Sequence, residues 1–253
     1  MERKDSRHRG DYGGCGNLNI SIKRMIETSL IDWEGKIVST LYVPSCNFRC
    51  PYCYNCDLIL HPEIFPNISQ REIDCFLLER KDFIDGICIS GGEPTLYPDI
   101  ISYFKNLKDN GFLIKLDTNG TNPKLLKKLL NLGLVDYIAM DIKSSLDFNH
   151  YSETAGIKDR GMFEKVKDST ELIMNSEIDY EFRTTVVPLL HSEGTIMEIA
   201  QYISGAKKYV LQNFSPLEKT LNPSFQKIKP YADEKIQELS EKAKKYVQNC
   251  YWR

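Results

Sequence analysis

The chain has 253 residues, 27% of them charged and 42% hydrophobic, and a formal net charge of −2. This is an ordinary globular mix, long enough for one large α/β domain or two small ones with a substantial core. The balance supplies no global positive field to attract nucleic acid, so a nucleic-acid partner is not expected. The first residues, MERKDSRHRGDYGG, contain no apolar signal-peptide core, and no run is long enough to span a membrane. A reducing cytoplasm is therefore expected, where clustered cysteines more often serve metal or redox chemistry than disulfides.

Residues 1–20 read as a polar, glycine-rich N-terminal extension, and residues 21–253 as one domain with a C-terminal helix. Six apolar, β-rich runs follow one another: IVSTLYV (37–43), GICIS (86–90), FLIKLD (112–117), YIAMDIK (137–143), EFRTTVV (181–187) and KYVLQNF (208–214). Segments with helical spacing lie between them. QREIDCFLLER follows Ser69, which with Glu72 forms a capping-box pattern. PDIISYFKNLKDNG ends in a glycine suited to a helix stop, and PKLLKKLLNLG starts with a proline at a permitted position. MFEKVKDSTELIMNS, GTIMEIAQYIS and YADEKIQELSEKAKKYV complete the series. This alternation predicts an α/β fold of parallel strands with crossover helices, as a doubly wound sheet or a curved partial barrel. In either, the site belongs at the carboxyl ends of the strands.

Polar and glycine residues gather at those ends. Cys46, Cys50 and Cys53 follow the first strand, and Gly91, Gly92 and Glu93 end the second. Asp117, Thr118 and Asn119 end the third, and Asp141 and Lys143 the fourth. Paired glycines let a backbone approach a ligand closely, and Glu93 is able to accept from a cationic amine. Taken alone, a GGE is more often a tight turn with a solvated acid, and Asn119-Gly120 an ordinary turn. Their common location raises each. The cysteine loop is compatible with a structural zinc site, a redox pair, a disulfide knot or an iron–sulfur cluster. Three thiolates on a cluster would leave one iron open, which is useful only if something binds there.

Cys46-x3-Cys50-x2-Cys53, with Tyr52 before the last cysteine, resembles the signature loop of radical S-adenosylmethionine (SAM) enzymes. The GGE at 91–93 is similar to that family's methionine-binding motif. Loop spacing, motif and strand-end order agree, which makes the match specific. Over residues 26–223 the segments ETSLIDWEGKIV, ISGGEPTLYP, LDTNGTNP, VDYIAMDIK, RTTVVP and LQNFSP resemble activating proteins of anaerobic ribonucleoside-triphosphate reductases. They also resemble, more distantly, pyruvate formate-lyase activating enzymes. Only 37 residues separate Cys53 from Gly91, which leaves little room for an inserted ferredoxin-like domain. Tyr54, where a histidine is common, and the additional Cys56 and Cys15 depart from the pattern.

The resemblance implies a partial (β/α)6 barrel of the radical SAM type. It implies a [4Fe-4S] cluster on Cys46, Cys50 and Cys53, and an oxidoreductase that reductively cleaves SAM to a 5′-deoxyadenosyl radical. That radical would generate a glycyl radical on a partner such as anaerobic ribonucleotide reductase, with flavodoxin or ferredoxin as one-electron donor. Gly91, Gly92 and Glu93 are expected at the methionine amino group and Lys143 at its carboxylate. Asp141, Asp117, Thr118 and Asn119 are expected on the ribose side and Tyr52 near adenine. Asp117 with Asp141 is the suggested seat of a monovalent cation. No side-chain general base is required, so no protein group is assigned to catalysis. The alternatives are a radical SAM enzyme acting on a small molecule, peptide or RNA, and a noncatalytic metal-binding module. Cys75 and Cys88 are expected in the core and Cys56 at the solvent side. Cys15 and Cys250 stay unassigned, and His61, His150 and His191 are expected in loops without a ligand role.

Overall fold

The computed structural model describes residues 20–253, so the expected extension and Cys15 lie outside the described residues. Eight strands form one sheet in chain order. β1 (Arg24–Ser29) runs antiparallel to β2 (Val38–Val43). β3 (Gly86–Gly91), β4 (Leu113–Thr118), β5 (Tyr137–Asp141), β6 (Asp179–Val186), β7 (Tyr209–Asn213) and β8 (Cys250–Trp252) then add in parallel. The six strands read from the sequence are β2 to β7. A doubly wound sheet reverses its strand order at a switch point. This sheet never reverses, which settles the architecture as the partial (β/α)6 barrel. β1 and β8 were not foreseen: β1 is mostly exposed at one edge, and β8 is only three residues long.

The crossovers are helical. α1 (Cys56–Leu60) and α2 (Gln70–Glu79) join β2 to β3, α3 (Ile100–Asp109) joins β3 to β4, and α4 (Pro123–Asn131) joins β4 to β5. α5 (Phe148–Ala155) and α6 (Arg160–Met174) lead to β6, α7 (Glu193–Tyr202) to β7, and α8 (Asp233–Ala243) to β8. The cap signals hold. Ser69 Oγ accepts from Glu72 N, and Glu72 accepts from Ser69 N at 2.7 Å. The short α1 and α5 carried too few periodic positions to be seen in sequence.

Period-two alternation sorts the strand side chains onto two faces. Ile87, Ile89, Ile114, Leu116, Ile138 and Met140 are fully buried in the main core. A separate cluster of Val38, Cys88, Tyr137 and Ala139 packs with Trp33, which the β1–β2 connection inserts. The Trp33 and Tyr137 ring centroids are 5.7 Å apart. Because Val38 and Tyr137 open their strands, this cluster floors the sheet at the end opposite the predicted site. Cys88 and Cys250 are core residues. Cys75 is only half-buried, and Cys56, expected at the solvent side, is buried where α1 begins. Among the described residues, no helix is long and apolar enough to cross a membrane.

Trp33→Ala empties most of the floor and should cost about 3–5 kcal/mol, read from urea unfolding midpoints. A loss under about 1 kcal/mol would show that Trp33 does not anchor the floor.

Candidate active site

The cysteine loop crosses the carboxyl end of β2 in a conformation its own sequence does not favour. Ser45 has φ 68°, the left-handed region where non-glycine residues are uncommon. The surrounding backbone over-determines it. Gly92 N donates to Val43 O at 2.8 Å, and Glu93 N to Ser45 O at 2.8 Å. A Cβ on Gly92 would stand 1.8 Å from Ser45 O, and one on Gly91 would stand 2.4 Å from Val43 O. These glycines therefore admit the backbone of the cysteine loop, while also lining the cavity beside it. On the far side Arg49 N donates to Ala155 O at 2.9 Å, and a Cβ on Gly156 would meet Arg49 O at 2.2 Å. Asn55 Nδ2 donates to Gly91 O at 2.9 Å.

Glu93 differs in placement from the other expected residues. Its side chain is fully buried and does not line the cavity. Oε1 accepts from Thr95 N and from the Thr95 and Thr118 hydroxyls, and Oε2 accepts from Asn119 N at 2.6 Å. The carboxylate thus acts as a strut between the ends of β3 and β4. The strut fixes Asn119, whose Nδ2 donates to Asn47 Oδ1 at 2.8 Å and lies 3.8 Å from Cys46 Sγ.

Cys46, Cys50, Cys53, Tyr52, Gly91, Gly92, Asp117, Thr118, Asn119, Asp141 and Lys143 all line one cavity of about 680 Å³. That volume falls in the range of small-molecule sites, about 300–1,000 Å³. The Tyr52 hydroxyl is buried there without a hydrogen-bond partner among the described residues. Its ring lies 6.5 Å from those of His191 and Phe225. His191, fully buried in the turn after β6, accepts from Val187 N through Nδ1 and faces Lys143 O at 2.7 Å through Nε2. Burial lowers its pKa, so it is a neutral Nε2–H donor that fixes the Lys143 backbone.

Two cations missing from the expected set organise the acids. Arg183 Nε donates to Asp141 Oδ1 at 2.8 Å and its Nη1 to Asp117 Oδ2 at 3.1 Å. Lys115 Nζ stands 3.2 Å from Asp117 Oδ1, and Lys143 Nζ 2.9 Å from Asp141 Oδ2. The guanidinium thus occupies the place suggested for a monovalent cation and supplies its charge. Burial alone would raise both acids, but Arg183, with Lys115 at Asp117 and Lys143 at Asp141, holds their pKa values below the usual carboxylate range. The sequence held a signal for these cations. Lys115 and Arg183 interrupt apolar strands, and Lys115 lies two positions before Asp117, hence on its face.

Comparison with known proteins agrees with this arrangement. The pattern of the Radical SAM superfamily matches residues 40–203. The chain belongs to the radical SAM superfamily. A Methanocaldococcus jannaschii protein, named provisionally as a glycyl-radical enzyme activating enzyme, is 32% identical over 92% of this chain and 95% of its own length. A radical SAM methyltransferase from Sphaerobacter thermophilus superposes with a TM-score of 0.65 at 14% identity, over 93% of this chain and 77% of its own. SuiB of Streptococcus suis superposes with a TM-score of 0.63 at 18% identity, over 85% of this chain and 48% of SuiB. At these identities the two structures share the fold, and this chain spans about half of SuiB. The fold and superfamily are those of a radical SAM oxidoreductase.

Radical SAM membership implies SAM and an iron–sulfur group, and the residues fit both. The three thiols are free and share one loop and one cavity. Burial pushes Cys46 up to about 11 and Cys50 to about 12. A thiolate there needs added positive charge, which a bound metal provides. Among the described residues, no three Cys, His, Asp or Glu side chains converge on a single metal ion. A cubane cluster places one thiolate on each of three irons and so accepts ligands spread more widely than a single zinc does. For SAM, the cavity offers the Lys143 ammonium, the Asp141 carboxylate and the unpartnered Tyr52 hydroxyl.

Two substitutions test this geometry. Arg183→Met leaves two buried acids short of charge and should cost about 3–5 kcal/mol at pH 7. In the wild type, the depressed acids contribute stability above their unfolded pKa, about 4. That contribution is lost progressively as the pH falls from about 4 through the lower folded values. The variant should lose this acid-side dependence, as read from urea unfolding between pH 3 and pH 7, and matching curves would dismiss the ion network. Glu93→Gln puts an amide donor against one of four donors and should cost about 1–3 kcal/mol. Unchanged stability with lost SAM binding by calorimetry would instead make Glu93 a direct contact.

Proposed function

We propose that this protein is a cytoplasmic, anaerobic glycyl-radical activating enzyme whose partner is a glycyl-radical enzyme, with anaerobic ribonucleotide reductase the first candidate. The observation that carries it is the relation to the Methanocaldococcus protein, which runs along nearly the whole of both chains. The mouth of the barrel supports it. Leu189 and Leu217, in the loops after β6 and β7, are 74% and 91% exposed. Exposed large apolar groups beside a site suit a protein substrate that covers them.

In this reading Cys46, Cys50 and Cys53 hold a [4Fe-4S] cluster. Bound there, such a cluster would supply the one-electron reduction that cleaves SAM and so the hydrogen-abstracting chemistry needed at a glycine Cα of the partner. The Gly91-Gly92 backbone and Lys143 hold the methionine end. Asp141, Thr118 and Asn119 face the ribose side and Tyr52 the adenine. Asp117 acts through Arg183, which positions Asp141. The cavity walls keep water from the radical, and no side chain moves a proton.

Reconstitution with iron and sulfide, followed by SAM, dithionite and anaerobic ribonucleotide reductase, tests the proposal. A glycyl doublet in the electron paramagnetic resonance spectrum is expected, and Cys50→Ala should abolish it together with 5′-deoxyadenosine. 5′-Deoxyadenosine without a doublet on any glycyl-radical enzyme would transfer the chemistry to another substrate, and its absence would leave a noncatalytic module.

A further inference from the structure

The cysteine loop has a second accessible side. A hollow of about 660 Å³ opens between α4 and α6, lined by Asn47, Leu96, Lys124, Lys127, Lys165 and Leu172 among others. No residue lines both this hollow and the SAM cavity. Lys124, Lys127 and Lys165 are exposed and make no ion pair or side-chain hydrogen bond among the described residues. Some other lysines are paired, as in Lys105–Asp109, Lys108–Asp136 and Lys167–Glu164, and what sets these three apart is that they line one hollow. One acid, Asp168, also lines the hollow, leaving an excess of two positive charges in a chain whose formal charge is −2. Leu96, 41% exposed, and the half-buried Leu172 give it an apolar centre. A charged rim around an apolar centre is the layout of a steered protein interface.

The hollow also touches the loop that the electron must reach. Asn47 follows Cys46 directly, and its Nδ2 donates to Thr121 Oγ1 at 2.8 Å. Asn119 links Asn47 Oδ1 to Cys46 Sγ. One residue therefore separates the floor of the hollow from the first cysteine. A reductant arriving by way of the SAM cavity would displace SAM or the substrate, whereas one seated here leaves both in place.

We infer that this hollow, rimmed by Lys124, Lys127 and Lys165, is the docking site of an acidic one-electron carrier protein that reduces the cluster from the Asn47 side. The inference rests on the proposed cluster. The carrier loses one electron and the cluster gains one, and no bond forms or breaks. Free solvated lysines would be the plain alternative, and they would show no preference for a carrier.

Binding of oxidised flavodoxin and of oxidised ferredoxin to the reconstituted protein, by anaerobic calorimetry at 50 and 300 mM salt, decides it. At least one carrier should bind at low salt and weaken steeply at high salt. The triple variant Lys124→Glu, Lys127→Glu, Lys165→Glu should bind that carrier at least 30-fold more weakly, while Lys36→Glu and Lys245→Glu bind as the wild type does. The triple variant should lose carrier-driven cluster bleaching but keep dithionite-driven 5′-deoxyadenosine formation. Wild-type affinity in the triple variant, equal weakening in the controls, or no binding of either carrier would overturn the inference. Missing 5′-deoxyadenosine with dithionite in the wild type would strike the cluster reading instead, and the binding results would still judge the surface.

Discussion

The site depends on two peptide groups passing closer than any side chain allows. Where β3 ends, Gly91 and Gly92 lie against Val43 and Ser45, and two backbone hydrogen bonds tie the strand to the cysteine loop. That contact holds Ser45 in a left-handed conformation it would not choose alone. It also aims the three thiols at one cavity. Glu93 extends the same clamp sideways by gripping Thr118 and Asn119, so the loop after β2 and the end of β4 are set by one strand end between them. A metal group with several ligands on one loop needs this preorganisation, because the loop cannot afford its ordering entropy from ligand bonds alone.

Behind the loop, the inner face of the barrel is charged rather than apolar. Lys115, Asp117, Arg183, Asp141 and Lys143 alternate in sign from the floor to the cavity. Each would be costly to bury alone, and each is tolerated because its neighbour is opposite. The row keeps Asp141 and Lys143 ionised and aimed where a zwitterionic ligand would need them. Trp33 and its cluster seal the lower end, so the deepest charges, Lys115 and Arg183, are buried where their pairs are strengthened.

Much of this was legible in the chain. The cysteine spacing, the strand ends and the six βα units are local patterns, and eleven of the twelve expected residues line one cavity. The hydrogen bonds of Glu93 were not legible, because they join it to Thr118 and Asn119 on the next strand end. Arg183 escaped because its partner is distant in sequence, Asp117 lying 66 positions away, whereas Lys115 pairs with Asp117 two positions on and was within reach of a face-by-face reading. Cys56 was misplaced because α1 is too short to announce a buried face.

The sequence by itself determined the element order, the spacing of the cysteine loop and the superfamily, since these rest on short-range spacing and strand-end composition. Only the tertiary structure decided that the sheet curls progressively, that the glycines serve the loop's backbone, and that a guanidinium stands between two acids. It also decided that Asn47 faces a basic hollow outside the cavity. These are contacts between segments far apart in the chain, and burial and distance, which control their energy, exist only after folding.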